Sequence, residues 1–157
     1  MQLEQPAAVQ PVVEEKKAKM PAPKKVKIIS ALGKRKNATA CAYARLGTGK
    51  ILINSRPISM IEPEIARLKI EEPLVIAGDS AKTVDINVSV SGGGVMGQAD
   101  AVRQAIALVL VGFDKKLKAQ FLNYDRTLLV SDVRRNEPHK PSCSKRGPRR
   151  HKQRSKR

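Results

Sequence analysis

Gly92-Gly93-Gly94-Val95-Met96-Gly97 is the stretch of this 157-residue chain best suited to chemistry through its own backbone. It follows the alternating run Val84 to Ser91 and precedes Ala99, Val102, Ala105, Ile106, Val109 and Leu110, which recur at helical spacing. A strand, a glycine loop and a helix in that order turn the N–H groups of the loop and helix start outward together, as a cup for an anion. The three glycines let a phosphate backbone approach closely. Gln98 borders the cup, and Arg103 lies one turn in to flank it.

The same loop invites a nucleotide-enzyme reading. Gly92, Gly94 and Gly97 satisfy G-x-G-x-x-G, but Phe121 to Asn123 stand where an acidic residue is needed about twenty positions on. Gln98 and Ala99 follow Gly97 where a P-loop has Lys and Ser or Thr. Asp85, Asp100, Asp125 and Asp132 are scattered, and His139 and His151 fall outside the foldable part. No nucleophile–base–orienter set results, so the chain reads as a non-enzyme without cofactor. Cys41 and Cys143 make neither a disulfide framework nor, with the two histidines, a metal quartet.

A second kind of chemistry is polycationic. Residues 134–157 contain eleven Lys or Arg against Glu137 alone, and no aliphatic or aromatic residue. Arg134, Arg135, Lys140, Lys145, Arg146, Arg149, Arg150, Lys152 and Arg154 lead to Ser155-Lys156-Arg157 at the tip. Such a chain end binds phosphates without regard to sequence, and its affinity falls steeply with salt. It lacks the apolar face that an interfacial membrane helix needs. The whole chain carries a formal +17, beyond the roughly 2 to 8 units that suffice for solubility. Residues 34–133 contribute only +4 of it. Within them, Lys34-Arg35-Lys36 at the mouth of a strand, with Arg45, Lys50 and Arg56, reads as a phosphate-contact face. Tyr43 is a possible stacking residue. With two Phe, two Tyr and no Trp, a base-stacking platform is not expected. Backbone and shape contacts with folded RNA or DNA are.

The elements that must position these groups follow from periodicity. Residues 1–26, broken by Pro6, Pro11, Pro21 and Pro23, read as a disordered extension, and 27–133 as one folded domain. Lys27 to Leu32 is a β candidate. Ala38, Ala40, Ala42, Ala44 and Leu46 then share one face of a second strand, close under a covering element. Gly47-Thr48-Gly49 reads as a hairpin connection to a returning strand, Lys50 to Asn54. Glu62-Pro63 starts a helix with Ile65, Leu68 and Lys69 as its seam, and Glu71-Glu72-Pro73 starts a second, stopped by Gly78. Val84, Ile86, Val88 and Val90 form the inward face of a strand. The helix after the glycine loop runs from Ala99 to Gly112. Asp114 caps another, which packs Leu117 and Phe121. No secretory signal opens the chain, and no stretch approaches about 18 apolar residues.

Taken in order, several of these motifs resemble the small-subunit ribosomal protein nine family. They are Gly33-Lys34-Arg35-Lys36 before an Ala-rich strand, Gly49-Lys50 leading to Ile53-Asn54, Glu72-Pro73-Leu74, and Gly92-Gly93-Gly94 with Gly97-Gln98-Ala99. Tyr124-Asp125-Arg126 and the final Ser155-Lys156-Arg157 complete the set. Leu128 to Arg135 followed by Glu137-Pro138 resembles the archaeal and eukaryotic branch. The likeness runs from about Lys27 to the end. It implies an α+β fold of the ribosomal protein S5 domain 2-like kind, a four-stranded sheet backed by helices with a left-handed β-α-β crossover, plus a long extended basic C-terminal tail. It further implies a cytoplasmic ribosomal component, bound to small-subunit ribosomal RNA and neighbouring proteins in the head.

The residue reading gives ribosomal RNA contacts to Lys34, Arg35, Lys36, Arg45, Lys50, Arg56, Gly92, Gly93, Gly94, Gly97, Gln98, Arg103, Arg126 and the tail cations Arg134 to Arg154, and the resemblance implies a path through that RNA lined by Arg149, Arg150, Lys152 and Arg154. Ser155, Lys156 and Arg157 fall to the anticodon stem-loop of peptidyl-site tRNA. Relatives often carry Tyr where this chain has Lys156. Met20 is an alternative start, motivated by the low-complexity residues before it. The rival class is a free nucleic-acid binder using the same basic ends.

Overall fold

The computed structural model describes residues 28–134. Five strands, β1 (Ile29–Arg35), β2 (Ala38–Leu46), β3 (Ile51–Ile53), β4 (Arg56–Pro57) and β5 (Val84–Ser91), form one mixed sheet in the order β1-β2-β5-β3-β4. Four helices are α1 (Glu64–Ala77), α2 (Asp79–Lys82), α3 (Val95–Phe113) and α4 (Leu117–Tyr124). The expected sheet had four strands. The fifth, β4, pairs only Arg56 and Pro57 with β3, too short for any period to reveal.

Packing follows the residue pattern. Ala38, Ala40, Ala42 and Ala44 are fully buried, as are Ile86 and Val88 of β5, with Val84 and Val90 buried beside them. The short alanine side chains let α3 lie close on β1 and β2. At Gly33 the approach is closest, for an added Cβ would stand 2.0 Å from the Ala101 carbonyl oxygen. Phe121 and Leu128 seal the core, where each large apolar side chain contributes about 1.5–3 kcal/mol. Leu46, expected inward with the alanines, is exposed at the strand end where the chain turns to Gly47. By length and composition α3 could cross a membrane, although no such stretch was expected. Half of it is buried against the sheet and α1.

Four further expectations are corrected. The Gly47–Gly49 connection is no hairpin, because β5 lies between β2 and β3, antiparallel to the first and parallel to the second. Pro73 starts no new helix and sits inside α1, buried. The lost N–H bond is tolerated because Ala66, Ile70, Pro73 and Ala77 then make one buried stripe. Ile65 and Leu68, the expected seam, are exposed. Finally, α3 begins at Val95, four residues before Ala99, and ends one residue past Gly112. Helix ends shift easily where glycine weakens the pattern.

Candidate nucleic-acid interface

The pairing of β2 with β5 sets the site. Thr39 opposes Ser91, so the β1–β2 turn at Lys36-Asn37 lies against the Gly92–Gly94 loop. An added Cβ at Gly92 would meet the Asn37 carbonyl oxygen at 2.6 Å, and one at Gly93 the Ala38 nitrogen at 3.0 Å. Both glycines have φ near +70°, the left-handed region that side chains disfavour. Gly94 differs, with an ordinary φ and open space before it. Nothing within the described residues requires glycine there. An added Cβ at Gly97 would meet only the Ala38 side chain and the Arg35 carbonyl, each at an ordinary 3.8 Å.

Gly94 is also the N-cap of α3 and supplies no side-chain acceptor. The helix N-terminus is therefore uncapped by any side chain, and its first N–H groups are available to an anion. Gln98 closes the loop from behind, its Nε2 donating to the Gly92 carbonyl at 3.0 Å. The amide expected at the RNA thus also shapes the loop.

Around this cup the cations divide. Lys34 and Lys36 are exposed and form no ion pair among the described residues; Lys36 itself holds a positive φ of 53°. Arg56 follows the Asn54-Ser55 turn, whose two positive φ values match a two-residue hairpin. Asn54 ties that turn to β5, its side chain exchanging hydrogen bonds with the Val90 N–H and carbonyl at 2.9 and 3.1 Å. Arg56 and Gln98 consequently line one cavity of about 620 Å³ at the glycine-loop end.

Arg45 and Lys50 are not part of this group. They lie beside Asp85, six pairs along β2 and β5 from Ser91, about 20 Å away at 3.3 Å per residue. The single phosphate-contact face read from the sequence is split into two ends of the sheet. Asp85 accepts from the Thr48 and Lys50 N–H groups at 2.8 and 3.1 Å, and its carboxyl is held below the usual range mainly by these bonds. Tyr43 stands half-exposed on the open face of the sheet, as expected.

Arg35 and Arg103 are held internally. The Arg103 guanidinium lies between Glu72, 2.6 Å from Nε but off the N–H direction, and Asp125, at 2.9 Å from Nη2. Burial pushes the Asp125 carboxyl up, but hydrogen bonds from Thr127 and Arg103 outweigh it and leave it below its ordinary value. Arg35 pairs with Asp132 and approaches Asp100 at 3.7 Å. Arg126 is exposed on a single 3-10 turn, and Arg134 is exposed where the description ends. Arg135 to Arg157, with Cys143, His139 and His151, lie outside the described residues. The sequence reading missed Gln104, whose buried amide joins β1 to Ser131. Its only signal was a polar residue on an otherwise apolar helix face.

Such an arrangement is a small, basic α+β domain whose uncapped helix start lies near cations that form no ion pair among the described residues. Residues 33–157 match the family model described as ribosomal protein S9/S16. The proteins named small ribosomal subunit protein uS9 from Methanococcus maripaludis strain C7 and from Methanococcus vannielii are each 47% identical to the chain over 132 residues. Each alignment covers 83% of this chain and 98% of the relative. The chain belongs to the ribosomal protein S9/S16 family, in its archaeal form, and its role is structural and not enzymatic.

Proposed function

We propose that the chain is a constituent of the small ribosomal subunit, working in the cytoplasm, that binds ribosomal RNA in the head and reaches peptidyl-site tRNA with its tail. The observation that carries the RNA half is the packing of the β1–β2 turn, on which Lys36 is exposed and Lys34 lies two residues before it, against the Gly92–Gly94 loop that leads to the uncapped start of α3. Backbone N–H groups hold one phosphate, the two lysines neutralise its neighbours, and Gly94 leaves room for the sugar–phosphate chain. Arg56 extends the patch on one side, and Arg126 and Arg134 add exposed cations. Arg45 and Lys50 form a separate contact that a large folded RNA can meet independently.

The tail, Arg134 to Arg157, carries the second half. Its cations follow a path through ribosomal RNA and order on it, each charge-assisted contact offsetting part of the ordering entropy. Ser155, Lys156 and Arg157 then meet the tRNA anticodon stem. There Arg157 offers a fork that lysine reproduces poorly. The left-handed sense of the β3–α1–β5 crossover belongs to the same proposal, as do neighbouring head proteins as partners.

Quantitative mass spectrometry across a high-salt sucrose gradient tests this. One copy per small subunit, retained after the wash, is expected. Recovery only in soluble or low-salt fractions would make the chain a free nucleic-acid binder. In subunits lacking Lys156 and Arg157, assembly should persist while peptidyl-site tRNA affinity drops. Equal tRNA binding at matched salt would remove the tail assignment.

A further inference from the structure

We infer that Arg35, together with Gln104, clamps the root of the C-terminal tail to the β1–β2 turn, and that Arg35 does not contact RNA. Two separate ties join neighbouring residues on each side. Arg35, the last residue of β1, pairs its guanidinium with Asp132, whose side chain is only 13% exposed. The same guanidinium approaches Asp100 of α3, which Lys69 of α1 holds at 3.1 Å. Gln104, itself 4% exposed, accepts from the Lys34 N–H at 2.9 Å and donates to the Ser131 hydroxyl at 3.0 Å. Residues 34–35 and 131–132 are therefore linked twice, once directly and once through Gln104 of α3.

Apolar packing does little of this holding. Leu128 is fully buried, but after it Val130 and Val133 are 44% and 90% exposed. Polar ties must fix the chain where packing has stopped. Asp132 also accepts the Arg134 N–H at 2.8 Å, which turns the backbone at the point where the tail leaves. Twenty-three further residues follow Arg134. For a tether of any stiffness, the position and direction of its first residues set the effective concentration of its tip at a fixed target. The clamp makes those residues move with Lys34 and Lys36, so seating the turn also aims the tail. That last consequence rests on the ribosomal reading; the clamp itself does not.

The test uses the full-length free protein and an RNA hairpin as the polyanion. Amide hydrogen exchange by NMR is followed at Leu129 to Arg134 in the parent, in Arg35→Met and in Ser131→Ala, the latter removing the Gln104 tie from an exposed position. Exchange there should rise about tenfold or more in Arg35→Met and less in Ser131→Ala, with β5 amides unchanged. Asp132→Asn should match Arg35→Met, and the double variant should add nothing further. The slope of log affinity for the hairpin against log salt should stay the same in Arg35→Met, where loss of a phosphate contact lowers it by about one. Unchanged exchange in Arg35→Met overturns the clamp, and a slope lowered by about one overturns the assignment of Arg35 away from RNA. Because neither readout involves a ribosome, absence of the protein from small subunits would defeat the functional reading without touching this one.

Discussion

At the β1–β2 turn, Lys34 and Lys36 stand exposed with no carboxylate of the described residues paired to them, whereas Arg35 between them and Arg103 behind are each held by two. Both sets look alike in sequence, as cations beside a glycine loop. Their energetics are opposite. An exposed lysine keeps its hydration and can exchange it for a phosphate with release of counterions. A half-buried arginine between two carboxylates is already neutralised, and removing it strands charge inside the protein. Under the proposed function, the difference separates residues placed to meet a ligand from residues that shape the surface around them.

The largest effect that sharpens this contrast is Arg103→Met. It leaves Glu72 and Asp125 facing each other without their cation. Because both are about a third exposed, the cost should be about 2–3 kcal/mol, below that of a fully buried pair. Urea denaturation measures it, and a loss under about 0.5 kcal/mol would erase the distinction between the two sets. Next comes Gly92→Ala, where a positive φ and the 2.6 Å approach to Asn37 together should cost about 2 kcal/mol. Gly94→Ala is its control. Stability should stay within about 0.5 kcal/mol while affinity for a structured RNA hairpin falls, since only an outside partner uses that space.

Lys34→Ala with Lys36→Ala should leave the urea midpoint almost unmoved and lower the salt slope of RNA binding by about two. An unchanged slope would mean that the exposed cations, too, are bystanders. The smallest effect is acid sensitivity. Asp125 has a folded pKa below its unfolded value, so its contribution is complete above the ordinary carboxylate range, near 4, and is lost as pH falls through the lowered folded value. Asp125→Asn should flatten the stability curve in that acid window and change nothing in its shape near neutrality.

Much of the scaffold was legible in the sequence because it depends on near neighbours. The period of two in Val84 to Ser91 marks a half-buried strand wherever it is placed, and the alanine run of β2 announces a close covering element, which the structure shows to be α3. The non-enzymatic role, which the family carries, was legible in residue types alone. Strand order was not legible. Gly47-Thr48-Gly49 has the residues of a hairpin, yet β5, thirty residues later, takes the place beside β2 because its four branched side chains bury more there than β3 can offer. Pro73 likewise reads as a boundary until α3 supplies the surface that makes an unbroken α1 worth its missing bond.

The identity of the site divides along the same line. By itself the sequence determined which groups the chain carries: a glycine loop before a helix, a cationic turn, a basic tail and no catalytic constellation. These are properties of composition and local spacing. The tertiary structure decided which of them meet. Antiparallel pairing of β2 with β5 brought the turn to the glycine loop and sent Arg45 and Lys50 to the far end of the sheet. Packing of α1, α3 and the residues before Arg134 turned Arg35 and Arg103 inward toward carboxylates distant in sequence. Charge on a side chain is local information, whereas its availability depends on long-range contacts that no local pattern records.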